Sequence, residues 1–397
     1  MLLKNLLTLT LAVSTCCSAL PCKTENAAVG ECLQSALKVY TTFVTPAPAD
    51  CGRDDAYTLT CAQGSAVIYR IDGENTYILT NYHVVFLNNA DETVNGGKTA
   101  REIYCYLYGS EGSPAVIREK DDIYGYPICD FGEYGIKCEY AGGSITADLA
   151  LLKANTSDLK AINEHIREVT FADGYSAGET AIAIGNTEGE GISVTRGIVS
   201  VENEYILLQI DGTPRYYRSL RIDTPIYHGN SGGGLFNTKG ELIGITNAGS
   251  LEKQNINYAI PVELVRGVAG NLLDYYLDGD PTTFGAYAIK LGMEVSATSS
   301  RYEFDAKRQT GHIVEEVCVT LIEENSIAKA LGLAEDDIIT DLIVNKKAHK
   351  IERSFDISDI LLTVRAGDTI SVKFLRDGEK KTSAKYSVSV SDLAPIA

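Results

Sequence analysis

The sequence contains no apolar run approaching the ~18 residues of a membrane-spanning helix. It contains no basic cluster either: 35 Lys and Arg face 53 Asp and Glu, for a net charge of −18. Stable membrane insertion is therefore not expected, and neither nucleic acid nor an anionic membrane suits such a surface as a partner. Paired C-x-x-C spacing is missing, which argues against structural zinc and thioredoxin chemistry. The glycine-rich stretch 185–191 is followed by neither a helix nor a Lys-Ser/Thr pair, so it does not read as a phosphate cradle. No metal and no cofactor are expected. Histidine is scarce, with five in the chain (His83, His165, His228, His312, His349).

With 397 residues, 45% of them hydrophobic, the chain can bury more than one core, and ~150 residues per domain suggests two or three. Residues 1–19 read as an export signal: Lys4, an apolar stretch over 6–13, then the small residues Cys17-Ser18-Ala19. A lipoprotein reading on Cys16 is the lesser alternative. Export leads to a periplasmic or extracellular location and makes disulfides the better reading of Cys22, Cys32, Cys51, Cys61, Cys105, Cys129, Cys138 and Cys318. Cys22/Cys32 and Cys51/Cys61 are close in sequence, at least one tie is expected within or reaching 105–138, and Cys318 reads as a buried thiol.

From residue 56 the pattern is β. Runs at 65–69 and 77–80 flank the turn 71–75 and read as a hairpin, with His83 just beyond it. Residues 86–143 are rich in Tyr, Gly and acids and read as an insertion of short strands and loops. Asp148 precedes the apolar run 149–152; its plain reading is a turn residue, its sharper one a carboxylate that orients an imidazole. Strands follow at 181–185, 192–200, 241–247 and 256–260, then a helix from Pro261 to about Tyr276. Residues 277–285 form a linker by composition. Beyond it, strands at 289–297, 312–318, 338–344, 370–376 and 384–390 with helices at 326–331 and 357–364 read as a small α+β domain.

Residues 223–237, DTPIYHGNSGGGLFN, organise the rest. A serine hydroxyl needs a base beside it and donors for the oxyanion that its attack creates. Glycines around Ser231 allow a turn that points the amides of Gly229 and Ser231 into one hole. Taken alone, this is as well read as an ordinary glycine-rich turn. His83, Asp148 and Ser231, in that order and each at a strand edge, supply base, orienting carboxylate and nucleophile.

These motifs resemble the HtrA/Deg family of trypsin-like serine proteases carrying a PDZ domain. The resemblance rests on GSAVI at 64–68, ILTNYHVV at 78–85, DLALLK at 148–153, AIGN at 183–186 with VTRGIVS at 194–200, GNSGG at 229–233, LIGI at 242–245 and NYAIP at 257–261. Farther on, SIAKALGLAEDDII at 326–339 and AGDTISV at 366–372 resemble a PDZ domain, although Asp336 stands where the family usually has glycine. The resemblance implies a mostly β fold: a chymotrypsin-like double β-barrel over 56–276, holding the 86–143 insertion, then one α+β PDZ domain over 286–393. The cysteine-bearing segment 20–55 has no counterpart in it.

It also implies an exported serine endopeptidase acting on unfolded or damaged proteins, assembled as a homo-oligomer, a trimer in this family. Lys290, Leu291, Gly292 and Met293 would receive a C-terminal peptide, held by strand addition. Trypsin-like folds place the residue six before the nucleophile at the base of the pocket for the P1 side chain. Here that residue is Pro225, followed by Ile226, with Ile245, Thr246 and Asn247 on the facing wall. No carboxylate waits there, so small or medium aliphatic side chains are expected at P1. His228 is either a rim residue favouring an acidic P1 or, more plainly, an exposed loop residue. The alternative from another class is a catalytically silent peptide-binding chaperone or scaffold.

Overall fold

The computed structural model describes residues 24–46, 57–112, 114–120, 127–249, 254–279, 285–306 and 310–396. The expected signal segment, Cys22 and Cys51 lie outside them. A short helix, α1 (Glu25–Cys32), leads into β1 (Ala36–Pro46), then β2 (Tyr57–Asp72), β3 (Asn75–Thr80), α2 (Tyr82–Val85), α3 (Glu92–Asn95) and β4 (Glu102–Leu107). A separate ladder pairs β5 (Ala115–Lys120) with β6 (Pro127–Asp130), and β7 (Ile136–Ser144) and β8 (Leu149–Asn155) follow. Six strands close a barrel in the order β1-β2-β3-β8-β7-β4.

This closure corrects two expectations. Segment 20–55 is not a separate piece, because β1 is a barrel strand paired with β2 and β4. Nor is 86–143 one insertion, because β4 and β7 complete the same barrel; what is added to it lies between them, at 108–135. Sequence masks the first fact, since β1 is buried along nearly its whole length and lacks the alternation of a half-exposed strand.

After α4 (Thr156–Ile162) come β9 (Thr170–Phe171), β10 (Thr180–Asn186), β11 (Ile192–Leu208), β12 (Arg215–Ile222), β13 (Gly234–Phe236), β14 (Glu241–Gly249) and β15 (Asn257–Pro261). They form one sheet, and a β13–β14 pairing closes six of them into a second ring. The period of two explains how the rings pack. In β8, Ala150 and Leu152 fill the first barrel, while Leu149 and Leu151 face outward. The outward set meets Ile182, Ile184, Phe236 and Ile245 of the second ring, and α5 (Val262–Leu277) seals this core with Val265, Val268 and Leu272.

The C-terminal region has its own core. Two small strands, β16 (Tyr287–Ile289) and β24 (Leu393–Pro395), pair with each other. The main sheet runs β17 (Met293–Asp305), β18 (Thr310–Ile322), β19 (Ile338–Val344), β21 (Thr369–Arg376), β22 (Glu379–Thr382), with β20 (Lys347–Lys350) on β19 and β23 (Tyr386–Ser387) on β21. Helices α6 (Ile327–Leu331) and α7 (Asp356–Leu361) cover it. Expected strand 384–390 shrinks to the two residues of β23.

A buried ion pair joins this region to the second ring: Arg218 of β12 donates to Asp359 of α7 at 2.7 Å. The Phe355 ring stacks against the Arg218 guanidinium at 4.1 Å. Burial pushes the Asp359 carboxyl up to about 6, outweighing the opposing pull of Arg218. That value lies above the ordinary 3.8, so the folded chain binds more protons than the unfolded one between them, and this group's contribution to stability falls as pH rises through that window. Arg218→Ala leaves a buried carboxylate without its cation, which costs about 3–5 kcal/mol. A lower urea midpoint at pH 7 is expected, with the loss shrinking below pH about 6, where Asp359 protonates; an unchanged midpoint at pH 7 would show the pair to be energetically idle.

Candidate active site

Strand register brings the first two candidates together. Thr80 of β3 pairs with Ala150 of β8, so the residues just after one strand and just before the other meet. His83 sits on the single turn of α2 rather than at the strand end itself. Asp148 is wholly buried and left-handed (φ 52°), a conformation that costs about 1–2 kcal/mol for an L-residue and turns its side chain back toward α2. One carboxylate then binds the histidine twice. Asp148 Oδ1 accepts the His83 backbone N–H at 3.1 Å, and Nδ1 lies 2.9 Å from Oδ2 and 3.1 Å from Oδ1. The buried Asn81 amide donates to the Asp148 carbonyl at 2.8 Å and fixes the turn. An Nδ1–H held in this way leaves Nε2 as the proton acceptor. Burial disfavours the imidazolium, but the Asp148 charge and hydrogen bond prevail and raise the His83 pKa above 6.5.

Ser231 lies on the loop between β12 and β13. Its carbonyl accepts from Ser65 N–H of β2 at 2.8 Å, and the next amide, of Gly232, donates to Thr246 of β14 at 2.9 Å. The serine hydroxyl donates to the Asn247 carbonyl at 3.3 Å rather than to His83. The amides of Asn230, Gly232 and Gly233 are all spent on backbone carbonyls, whereas those of Gly229 and Ser231 find no acceptor among the described residues. The reason for Gly229 is geometric. Glu188 N–H donates to the His228 carbonyl at 2.6 Å, and a planar trans peptide must then point the Gly229 N–H the opposite way. Gly229 has φ 91°, and a Cβ there would stand 2.1 Å from the Asn186 carbonyl oxygen, so no other residue fits without moving the loop.

The residues named for substrate binding are distributed unevenly. His228 is exposed. Pro225 and Ile226 are half-buried, with the Pro225 carbonyl accepting from Thr195 and Ile226 packed against the second-ring core. Ile245 and Thr246 do not form an open wall: Ile245 is wholly buried between the rings, and the Thr246 hydroxyl donates to Asn230 O at 2.6 Å. Asn247 shares with His83 a cleft of about 540 Å³, and neither polar atom of its side-chain amide has a partner among the described residues. Phe86, Leu87, Asn88, Leu208, Gln209 and Ile210 also line that cleft. Sequence reading missed these six, because they come from two segments, 86–88 and 208–210, that only the fold makes neighbours. It also passed over Ser65, whose hydroxyl accepts from Asn186 N–H and donates to the Gly229 carbonyl, both at 2.7 Å.

Lys290, Leu291, Gly292 and Met293 line a separate groove of about 470 Å³ against α7, with Tyr205 of β11 at its edge. Among the described residues, no three His, Cys, Asp or Glu side chains gather in a way that could hold a metal ion. No helix among them is long and apolar enough to cross a membrane.

Residues 64–245, which hold all three catalytic candidates, match the family model for a trypsin-like peptidase domain. The chain is accordingly a trypsin-like serine endopeptidase, on a chymotrypsin-like double barrel followed by an α+β domain. It is 29% identical over 349 residues to the serine protease Do-like HtrA of Lactococcus lactis subsp. lactis, covering 84% of this chain and 72% of that one. Against the HtrA-like serine protease of Staphylococcus aureus (strain bovine RF122 / ET3-1) it is 26% identical over 80% of this chain and 36% of the relative. The solved HtrA-type protease AlgW with decapeptide superposes with a TM-score of 0.54 at 23% identity, over 94% of this chain and 99% of that one, and so shares the fold. The chain is thus similar to serine proteases of the HtrA type.

Proposed function

We propose that this chain is an exported endopeptidase that cleaves unfolded or damaged proteins through Ser231, His83 and Asp148, and that it binds C-terminal peptides at Lys290–Met293 through a PDZ domain over 286–393. The observation that carries the catalytic reading is the doubly bonded His83–Asp148 pair together with a serine whose own amide and that of Gly229 find no acceptor among the described residues. In this scheme Ser231 Oγ turns from Asn247, gives its proton to His83 Nε2 and attacks the scissile carbonyl. The Gly229 and Ser231 amides take the oxyanion, and Asp148 stabilises the imidazolium. His83 then passes the proton to the leaving amine, and water resolves the acyl-enzyme by the same route. Assembly as a homo-oligomer, a trimer by resemblance, belongs to the same reading.

Ser231→Ala is expected to abolish cleavage of casein and labelling by a fluorophosphonate while leaving the fold intact. Asp148→Asn is expected to lower kcat by about 10⁴. Because His83 must be neutral to act as a base and its pKa is raised, the acid limb of kcat/KM should fall above pH 6.5. Turnover by the alanine variant at the wild-type rate would sink the assignment.

Selection of small or medium aliphatic P1 side chains such as Val, Ala or Ile follows from Pro225 and Ile226. The nearest acid in sequence, Asp223, is held away by the Ile198 N–H at 2.6 Å. A charged P1 group would be left unpaired in such a pocket. A peptide-library profile is expected to favour the aliphatics, and dominance of Glu, Lys or Arg would refute it.

Export is also the basis for proposing disulfides. Cys138 and Cys105 lie on paired strands with sulfurs 3.3 Å apart. The Cys129 thiol is pushed up to about 12, first by burial and then by the adjoining Cys61. Oxidised Cys105–Cys138 and Cys61–Cys129 pairs are expected in the exported protein, the second anchoring the added 108–135 region to β2. Mass spectrometry of unreduced, alkylated protein finding these four as free thiols would overturn this.

A further inference from the structure

Lys38 is a buried lysine for which the catalytic scheme has no use. It lies on β1 and is 3% exposed, although lysine is almost never fully buried unless paired. No carboxylate lies within ion-pair distance among the described residues; its Nζ donates instead to two backbone carbonyls, Gly189 at 3.1 Å and Gly112 at 3.2 Å. Burial lowers its pKa, opposed by the nearby charge of Glu111.

The two carbonyls tie distant segments together. Gly189 belongs to the loop 187–191, whose Glu188 amide holds the His228 carbonyl and thereby aims the Gly229 amide. Glu188 is itself a non-glycine residue at φ 53°, a left-handed conformation that needs outside support. Gly112 belongs to the segment added between β4 and β7. Beside it, Glu111 Oε1 accepts from Ile192 N–H at 3.2 Å, at the far end of the same loop, while Oε2 accepts from Gly109 N–H at 2.9 Å. Ser65, directly opposite Lys38 in the β1–β2 register, holds Asn186 N–H and the Gly229 carbonyl. Lys38, Ser65 and Glu111 thus grip both ends and the middle of the loop that supports the oxyanion hole.

We propose that Lys38 is a positioning residue for the hydrolytic reaction: its buried ammonium, with Glu111 of the added segment, locks loop 187–191 so that the Gly229 amide faces the reacting carbonyl. This inference rests on the Ser231 reading above. Without the lock, Glu188 relaxes from its strained conformation, the His228 carbonyl loses its donor, and the His228–Gly229 peptide can turn over. Substrate binding is untouched, because Lys38 lies behind the loop, so the loss falls on the transition state.

The test uses the full chain with a fluorogenic peptide and compares wild type, Ser231→Ala, Lys38→Met and Glu111→Ala. Lys38→Met keeps the length and removes the donors. It is expected to lower kcat by up to the about 10²–10³-fold that accompanies a lost oxyanion donor. KM should stay within about threefold, as for an interaction made only in the transition state. Inhibition by a peptide aldehyde, which forms a tetrahedral oxyanion adduct, should weaken by the same factor as kcat. Glu111→Ala, at a partly exposed site, is expected to give a smaller loss of the same kind, about tenfold on the same reasoning, and it decides the matter if Lys38→Met does not fold. If Ser231→Ala is inactive while the folded Lys38→Met, or failing that Glu111→Ala, keeps wild-type kcat or changes KM alone, the positioning role is wrong and the nucleophile stands. If Ser231→Ala remains active, the nucleophile reading fails, and this role fails with it.

Discussion

The loop 228–233 has no regular secondary structure, and its shape is set by hydrogen bonds arriving from both rings. Ser65 of β2 holds Ser231 and Gly229 from the first barrel; Thr246 of β14 holds Gly232 and Asn230 from the second; Glu188 holds His228 from a third direction. His83 and Asp148 belong entirely to the first barrel. The nucleophile candidate therefore sits on the seam between two bodies, and its distance from the base depends on how firmly those bodies pack. The shared core of Leu149, Leu151, Ile184, Phe236 and Ile245, sealed by α5, supplies that firmness. Close-packed interiors resist sliding, so the hydrophobic seam beneath the serine loop controls the geometry of the site.

Glycine has a different task at the seam than in the surface turns. At Gly178 a Cβ would meet nothing within 4 Å, and only the backbone dihedral favours glycine. At Gly232 a Cβ would stand 2.1 Å from the Ser65 carbonyl, so the two rings could not approach as they do. The C-terminal region is attached both by apolar residues, with Ala286 and Leu362 in the core that α5 seals, and by polar contacts. Arg218 and Phe355 meet Asp359 and Arg353 in a partly dry junction, where a carboxyl is held protonated more readily than in water. Strand β11 spans the surface between this junction and the active cleft, with Tyr205 at the groove near Lys290 and Leu208 in the cleft beside His83.

Much of the second ring, α5 and the C-terminal strands could be read from the sequence alone, because their signals are local. The short β-branched runs of the second ring and a proline at the start of α5 depend on neighbours a few positions away. His83, Asp148 and Ser231 could be nominated in the same way, from short motifs in a fixed order. Where β1 is buried on both faces the local signal vanishes, and that β4 and β7 belong to the same barrel depends on pairings with strands distant in sequence. Ile245 and Thr246 read from sequence as part of a pocket wall. In fact one side chain fills the seam and the other braces the serine loop. Only the tertiary structure decided which contacts hold the loop around Ser231, which cysteine sulfurs come together, and that the ammonium of Lys38 reaches the loop 187–191. Each of these is a meeting of atoms far apart in sequence, and nothing in the residues themselves encodes a contact until register and ring closure bring them within 3 Å or so.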